Sequence, residues 1–319
     1  MKTKYLLKGI IKSIPGIEYI YNFHKHTGGS CNARYCYVVW LTHLTYAFQN
    51  GVTETPKQIV ELGPGDTLGT GFAALITGAD KYYALDIVRY TNVEESLKIF
   101  DELVLLFKNK TPIPSREEFP LIRPLLNNYD FPDYLFQENS LEYLLSPERI
   151  DRIRNTIKTI DDVTEQETNQ MISFVVPWLG NNMIENDSVD MIFSQAVLQH
   201  IDQLELTYNY MYQWLKPNGI ISHEIDFKSM GSADTWDGHW AYSDIEWMIV
   251  KGRKLFYINR EAYSTHKKLL KNNQFKLLLE CKCYQPPTLT KNKIARRFKS
   301  FSDDDLQNTN TFFQATKPM

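Results

Sequence analysis

The stretch Gln58–Leu68, reading QIVELGPGDTL, constrains this chain more than any other. Ile59 and Val60 are apolar and β-prone, which predicts a buried strand. Gly63, Pro64 and Gly65 then force a tight turn, and glycine lets backbone and ligand come close. Residues 69–75 (GTGFAAL) read as the start of a helix, and residues 82–85 (YYAL) as a second strand that ends on Asp86. Strand, glycine turn, helix and a strand closed by an acid form the βαβ unit for an adenosine-type cofactor. The acid accepts hydrogen bonds from ribose hydroxyls.

Two details narrow the cofactor. Glu61 stands at the strand's end, where it would repel a pyrophosphate and welcome the ammonium of an amino acid. The glycines Gly63, Gly65 and Gly69 are spaced G-x-G-x-x-x-G rather than G-x-G-x-x-G. Both favour S-adenosyl-L-methionine (SAM) over a nicotinamide dinucleotide.

At 319 residues the chain holds one large or two small domains, and 43% apolar residues are ample for a core. A formal charge of −3 predicts no strong field for nucleic acid. Cys31/Cys36 and Cys281/Cys283 lack C-x-x-C spacing and are expected to be reduced thiols. The start, MKTKYLLKGIIK, lacks the long apolar run and cleavage site of a secretory signal. It is expected to pack on the domain, with a weak peripheral membrane contact as the other reading. No stretch is long and apolar enough to span a bilayer, so a cytoplasmic location is the default.

In order, residues 1–30 read as helix then loop, broken at Pro15-Gly16 and Gly28-Gly29, and 36–50 as an apolar helix ending at Gly51. Arg34 and Tyr35, just upstream, face either the cofactor or the surface. From about 100 to 165 the pattern reads as a mostly helical insertion divided by Pro120, Pro124, Pro132 and Pro147. Its expected duty is a cap over the substrate, with a dimer interface as the other reading. Strands are predicted over 171–176, from Val189 to Gln195, and over 220–227, with helices at about 197–202 and 208–215. Lys216-Pro217-Asn218-Gly219 is a turn in which Asn-Gly tolerates positive φ. Helices are predicted across 241–256 and 261–273. Two final strands at 275–283 and 310–316 flank a basic run (291–299) and an acidic one (303–305), both read as short helices.

Three signals in this order, ELGPGD, SVDMIFSQAVLQHID and LKPNGIIS, resemble the class I SAM-dependent methyltransferases. The resemblance runs from about Gln58 to Asp226 and implies a Rossmann-like, doubly wound α/β fold. Its seven-stranded sheet would be mainly parallel with an antiparallel last strand. Residues 1–50 would pack on a methyltransferase domain spanning 51–319. More narrowly, ISHEIDFKSMGSADTWDGHWAYSD and EFPLIRP are similar to bacterial methyltransferases of surface-polysaccharide or O-antigen synthesis. Where that group commonly has a histidine, this chain has Met230. The resemblance implies Glu61, Gly63, Pro64 and Gly65 around the methionine part, Asp86 at the ribose and Ile87 beside adenine. Ser194 and Gln195 would face the methyl group. No acid ends the third strand, so Trp178 is expected to meet adenine instead.

Methyl transfer from a sulfonium is an in-line displacement that depends on positioning, and a sugar hydroxyl gains from a general base. His239 is the first candidate and His223 the second, with Asp226 beside them. His200, Trp236, Trp240 and Arg260 are candidates for the acceptor site, the tryptophans as ring-stacking surfaces and Arg260 for an anionic group. A divalent cation on Asp226 with a histidine would lower the hydroxyl's pKa, but no ligand spacing calls for one. The expected activity is therefore O-methylation of a sugar in glycan biosynthesis, leaving S-adenosylhomocysteine. The competing readings are methylation of a lipid or secondary metabolite, a non-catalytic SAM-binding platform, and a nicotinamide oxidoreductase.

Overall fold

The computed structural model describes residues 2–14, 29–136, 140–160, 171–178, 180, 183–254 and 257–319. The turn predicted at Pro15-Gly16, the end of the insertion beyond 160 and residues 255–256 lie outside them.

Seven strands make one sheet. They are β1 (Gln58–Leu62), β2 (Lys81–Leu85), β3 (Ile172–Val175), β4 (Val189–Gln195), β5 (Leu215–Asp226), β6 (Lys276–Tyr284) and β7 (Asn308–Thr316). Their order is β3-β2-β1-β4-β5-β7-β6. The first five are mutually parallel, and β7 runs antiparallel to both β5 and β6. This is the Rossmann-like sheet with the predicted antiparallel last strand. The order reverses between β1 and β4, which opens a crevice at their carboxyl ends.

The strand pleat sorts side chains into two cores. Ile59, Tyr82, Met191, Phe193 and Ile220 pack on one face with α2 (Ala33–Gln49), α3 (Gly69–Ile76) and α4 (Val93–Lys108). Val60, Leu62, Ile192, Ile221 and Phe313 pack on the other face with α7 (Leu204–Trp214) and α9 (Tyr263–Asn272). Helix α2 is capped by Asn32, whose side chain accepts from the amides of Arg34 and Tyr35 at 2.9 and 3.2 Å. Twelve of its seventeen residues are buried, so it is a layer of the core.

The insertion differs from its predicted form. Residues 109–132 hold no regular helix, because prolines withdraw amide donors and restrict the residue before them. Short helices follow at α5 (Leu141–Leu144) and α6 (Pro147–Lys158). Ile113, Ile122, Leu126, Leu144, Ile150, Ile153 and Ile157 all sink into the α2-side core. The predicted turn at 216–219 falls inside β5, where the register with β4 shifts, and Asn218 there has φ +65°, as the Asn-Gly pair predicts. The remaining α-helices among the described residues are α1 (Lys2–Lys12), α8 (Asp244–Lys251) and α10 (Asp303–Gln307).

Candidate active site

A cleft of about 650 Å³ opens at the carboxyl ends of β1, β2 and β4. Glu61, Gly63, Pro64, Gly65, Asp86 and Ile87 line it together with Trp178, Gln195 and His200. Residues far apart in sequence converge here because all three strands point the same way.

The β1 turn shapes the floor. Gly63 (φ +63°) and Gly65 (φ +81°) are left-handed. A Cβ on Gly63 would lie 2.6 Å from Val197, so only glycine fits beside that wall residue. The Gly63 amide donates to the Leu85 carbonyl at 2.8 Å, tying the turn to β2.

Two carboxylates flank the turn. Glu61 is buried, and the Tyr82 hydroxyl donates to its Oε2 at 2.5 Å. Burial raises its pKa to about 7, against the opposing hydrogen bonds of Tyr82, Thr70 and the Gly71 amide. The site thus holds a carboxyl poised to ionise when a cation arrives. Asp86 follows β2. Its Oδ1 accepts from the amides of Ile87 (2.7 Å) and Val88 (3.3 Å), which aims the carboxylate from a fixed loop. Burial raises its pKa as well.

The far wall is aromatic. Trp178 donates its amide to the Asp86 carbonyl at 2.7 Å, and its indole nitrogen is buried without a protein partner. Tyr35, Tyr90 and Tyr210 also line the cleft. Sequence reasoning weighed Tyr35 but missed Thr70, Tyr90, Val197 and Tyr210 as cleft residues; Val197 lies within SQAVLQHID, and the four meet only through the fold.

Gln195 is fixed from behind. His43 Nε2 lies 3.2 Å from Gln195 Oε1 and His43 Nδ1 lies 2.7 Å from Ser222 Oγ. Gln314 Nε2 donates to Ser222 Oγ at 2.9 Å. One proton arrangement satisfies this chain: Nε2–H donates to Gln195, and the serine hydroxyl donates to Nδ1. Burial lowers the His43 pKa to about 4, consistent with a neutral ring. The Gln195 carbonyl is thereby engaged, leaving its amide hydrogens as donors for the cleft.

Several predicted residues stand elsewhere, for reasons the pleat and packing supply. Ser194 points to the opposite face of β4 from Gln195, is fully buried, and bonds His223 Nδ1 at 2.7 Å. His223 is fully buried beside Phe313, and burial holds its pKa well below the usual value. Neither lines the cleft. His239 is buried against Trp240, with ring centroids 4.5 Å apart, and burial and Arg260 lower its pKa to about 3. Trp240 is fully buried and donates to the Arg260 carbonyl at 3.0 Å, while Trp236 packs edge-on against it. Arg260 itself lies over Trp247 and Phe298 and donates to the Tyr242 carbonyl and Asp244. These four form a separate aromatic cluster that braces the segment after β5, and none lines the cleft. Asp226 is paired with Lys228 at 2.8 Å. Among the described residues no group of three potential ligands could hold a metal ion.

His200 is the one predicted histidine on the cleft wall. Burial is the main cause that lowers its pKa, so the ring is neutral near pH 7. Glu224 escaped sequence reasoning altogether. It is buried at the end of β5, opposite Gln195 in register, and its carboxyl accepts from Asn310. Burial raises its pKa to about 8.

Residues 143–222 match the sequence profile of a methyltransferase domain. A comparison with curated proteins finds no match. Among solved structures, one similar chain comes from the Haloferax volcanii complex that contains the Trm112 methyltransferase activator. It is 12% identical, with 91% of this chain and 94% of that one covered at a TM-score of 0.43. Another is an S-adenosylmethionine-dependent methyltransferase from Mesorhizobium loti, at 12% identity, 85% and 96% coverage and a TM-score of 0.41. A third is phosphoethanolamine N-methyltransferase 2 of Haemonchus contortus in complex with S-adenosyl-L-methionine, at 15% identity, 98% and 57% coverage and a TM-score of 0.42. These likenesses put no side chain in the cleft.

Proposed function

We propose that this chain is a SAM-dependent methyltransferase that methylates a hydroxyl of a small-molecule or glycan acceptor, with a sugar as the expected class. One observation carries the reading. Glu61 and Asp86 flank a left-handed glycine turn on the wall of one cleft, at the point where the sheet order reverses.

The residues fit the cofactor. Gly63 and Gly65 present bare backbone to the cleft, Glu61 suits an ammonium, and Asp86 suits a ribose diol. The buried indole nitrogen of Trp178 awaits an acceptor such as a purine ring nitrogen. When bound, SAM supplies an electrophilic methyl group on a sulfonium. The chain's own residues bind, orient and exclude water. Gln195 offers its amide hydrogens, and Tyr35 and Tyr90 offer ring faces of the kind sugars stack on.

His200 replaces His239 as the candidate base. It lines the cleft and its neutral ring accepts a proton from an acceptor hydroxyl as the methyl group moves. No cation is needed in this scheme.

Calorimetric titration with SAM and S-adenosylhomocysteine tests the reading, beside an Asp86→Ala variant. The expected outcome is micromolar binding that Asp86→Ala weakens about ten-fold or more, as loss of a charged hydrogen-bond acceptor requires. A panel of sugars and nucleotide sugars then assays methyl transfer, with lipids and small phenols as the comparison set. No binding of either compound sinks the reading.

A further inference from the structure

Helix α1 reads KTKYLLKGIIK, with four lysines and no acid. Its inner face is accounted for. Tyr5 and Leu6 pack against a small cluster of Tyr242, Trp247, Val250 and Tyr257. A Cβ on Gly9 would lie 2.0 Å from the Ile249 carbonyl oxygen, so α1 and α8 are in backbone contact. Lys2 pairs with Glu246 at 3.0 Å and the Tyr5 hydroxyl donates to Asp234 at 2.8 Å, which engages the acids on that side.

The outer face is not accounted for. Leu7, Ile10 and Ile11 recur at i, i+3 and i+4, Ile14 follows just beyond the helix end, and each is about half exposed. Ile245 and Met248 of the adjoining α8 are more than two-thirds exposed. Lys4 and Lys8, one turn apart, are exposed on the flank of the α1 stripe. Large aliphatic side chains on two touching helices form an apolar surface of a kind that soluble monomers rarely carry.

We propose that α1 and α8 form a docking surface for an anionic lipid bilayer, with the α1 stripe lying in the headgroup plane. Charge decides the occupant. The whole chain carries a formal charge of −3, yet this helix is wholly basic, so attraction to anionic headgroups is local to the patch. A stripe of Leu and Ile without aromatic anchors or hydrogen-bonding groups matches acyl chains better than a protein pocket. A helix this short gives reversible binding.

The full chain is sedimented with vesicles of phosphatidylcholine alone and of phosphatidylcholine with phosphatidylglycerol, at low and high salt. Partition is expected on the mixed vesicles, weakened by salt. It should fall about five-fold for each of Lys4→Gln and Lys8→Gln, and at least about ten-fold for the pair Leu7→Ser with Ile11→Ser. All four positions are exposed, and circular dichroism checks that the variants remain folded. Equal partition on both vesicle types, no partition on either, or variants that bind like the parent would overturn the proposal. So would a dimer in light scattering that Leu7→Ser with Ile11→Ser dissociates, which would make the patch a subunit interface.

Discussion

Glu61 makes cofactor binding depend on pH in a direction that can be worked out in advance. Its carboxyl is buried with a pKa of about 7 in the free protein, and Asp86 is the neighbouring charge that helps hold it there. A ligand ammonium beside it favours the ionised form, so binding draws off whatever proton the carboxyl still carries. With a pKa near 7, about 3% is ionised at pH 5.5 and about half at pH 7, so affinity should rise about fifteen-fold across that interval. Above it the ligand's own amine loses its proton, near pH 7.7–8.0 for a typical α-amino group, and affinity turns over. Glu61→Gln keeps an oxygen for Tyr82 but has no proton to lose. It should flatten the acid limb and weaken binding at pH 7 by about ten- to a hundred-fold, the worth of a charged hydrogen bond. The assay is titration calorimetry in two buffers of different ionisation enthalpy, which also reads about half a proton released at pH 7. A parent protein whose affinity is the same at pH 5.5 and 7, or a Glu61→Gln variant with the same slope, refutes the reasoning.

Three further outcomes follow from the structure. Four fully buried histidines, His43, His223, His239 and His266, have depressed pKa values, while Glu61 and Glu224 have raised ones. Between about pH 5 and 6 unfolding takes up nearly four protons at the histidines and releases nearly two at the carboxyls, so stability should fall by roughly 2–3 kcal/mol per pH unit of acidification. Between about pH 6.5 and 8 the unfolded histidines no longer take up protons while the folded carboxyls still hold theirs, so stability should decline again and level off once both carboxyls have ionised; urea midpoints that are flat from pH 5 to 8 contradict this accounting. Gly63→Ala forces a Cβ onto Val197 at a left-handed position and should weaken SAM binding about ten-fold or more while the fold persists; unchanged affinity would show that the turn does not approach the ligand. His239→Phe should leave SAM affinity within about two-fold while lowering the thermal midpoint, whereas His200→Ala should reduce turnover about a hundred-fold with cofactor binding retained; the reverse pattern restores His239 as the base.

The glycine turn, the strand before it and the acid after the next strand were legible in the sequence because each is a local requirement. Positive φ favours Gly63 and Gly65, a buried strand needs Ile59 and Val60, and Asp86 stands directly after β2. The mainly parallel seven-stranded sheet with an antiparallel last strand followed from the resemblance that three motifs carry. Which histidine and which aromatic rings meet the cleft was not legible. His223, Glu224 and Asp226 are near neighbours in sequence, yet the pleat sends His223 to Ser194 on one face and Glu224 to Asn310 on the other. His239 looked available on a loop, but that loop folds into an aromatic cluster with Trp240 and Arg260. The insertion was read as mostly helical, while over 109–132 its prolines leave turns and irregular chain, whose Ile113, Ile122 and Leu126 pack into the α2-side core. Local chemistry determines how a turn is made; which of seven histidines meets a cleft depends on the direction of each strand's side chains and on what packs over them. Only the tertiary structure decides that.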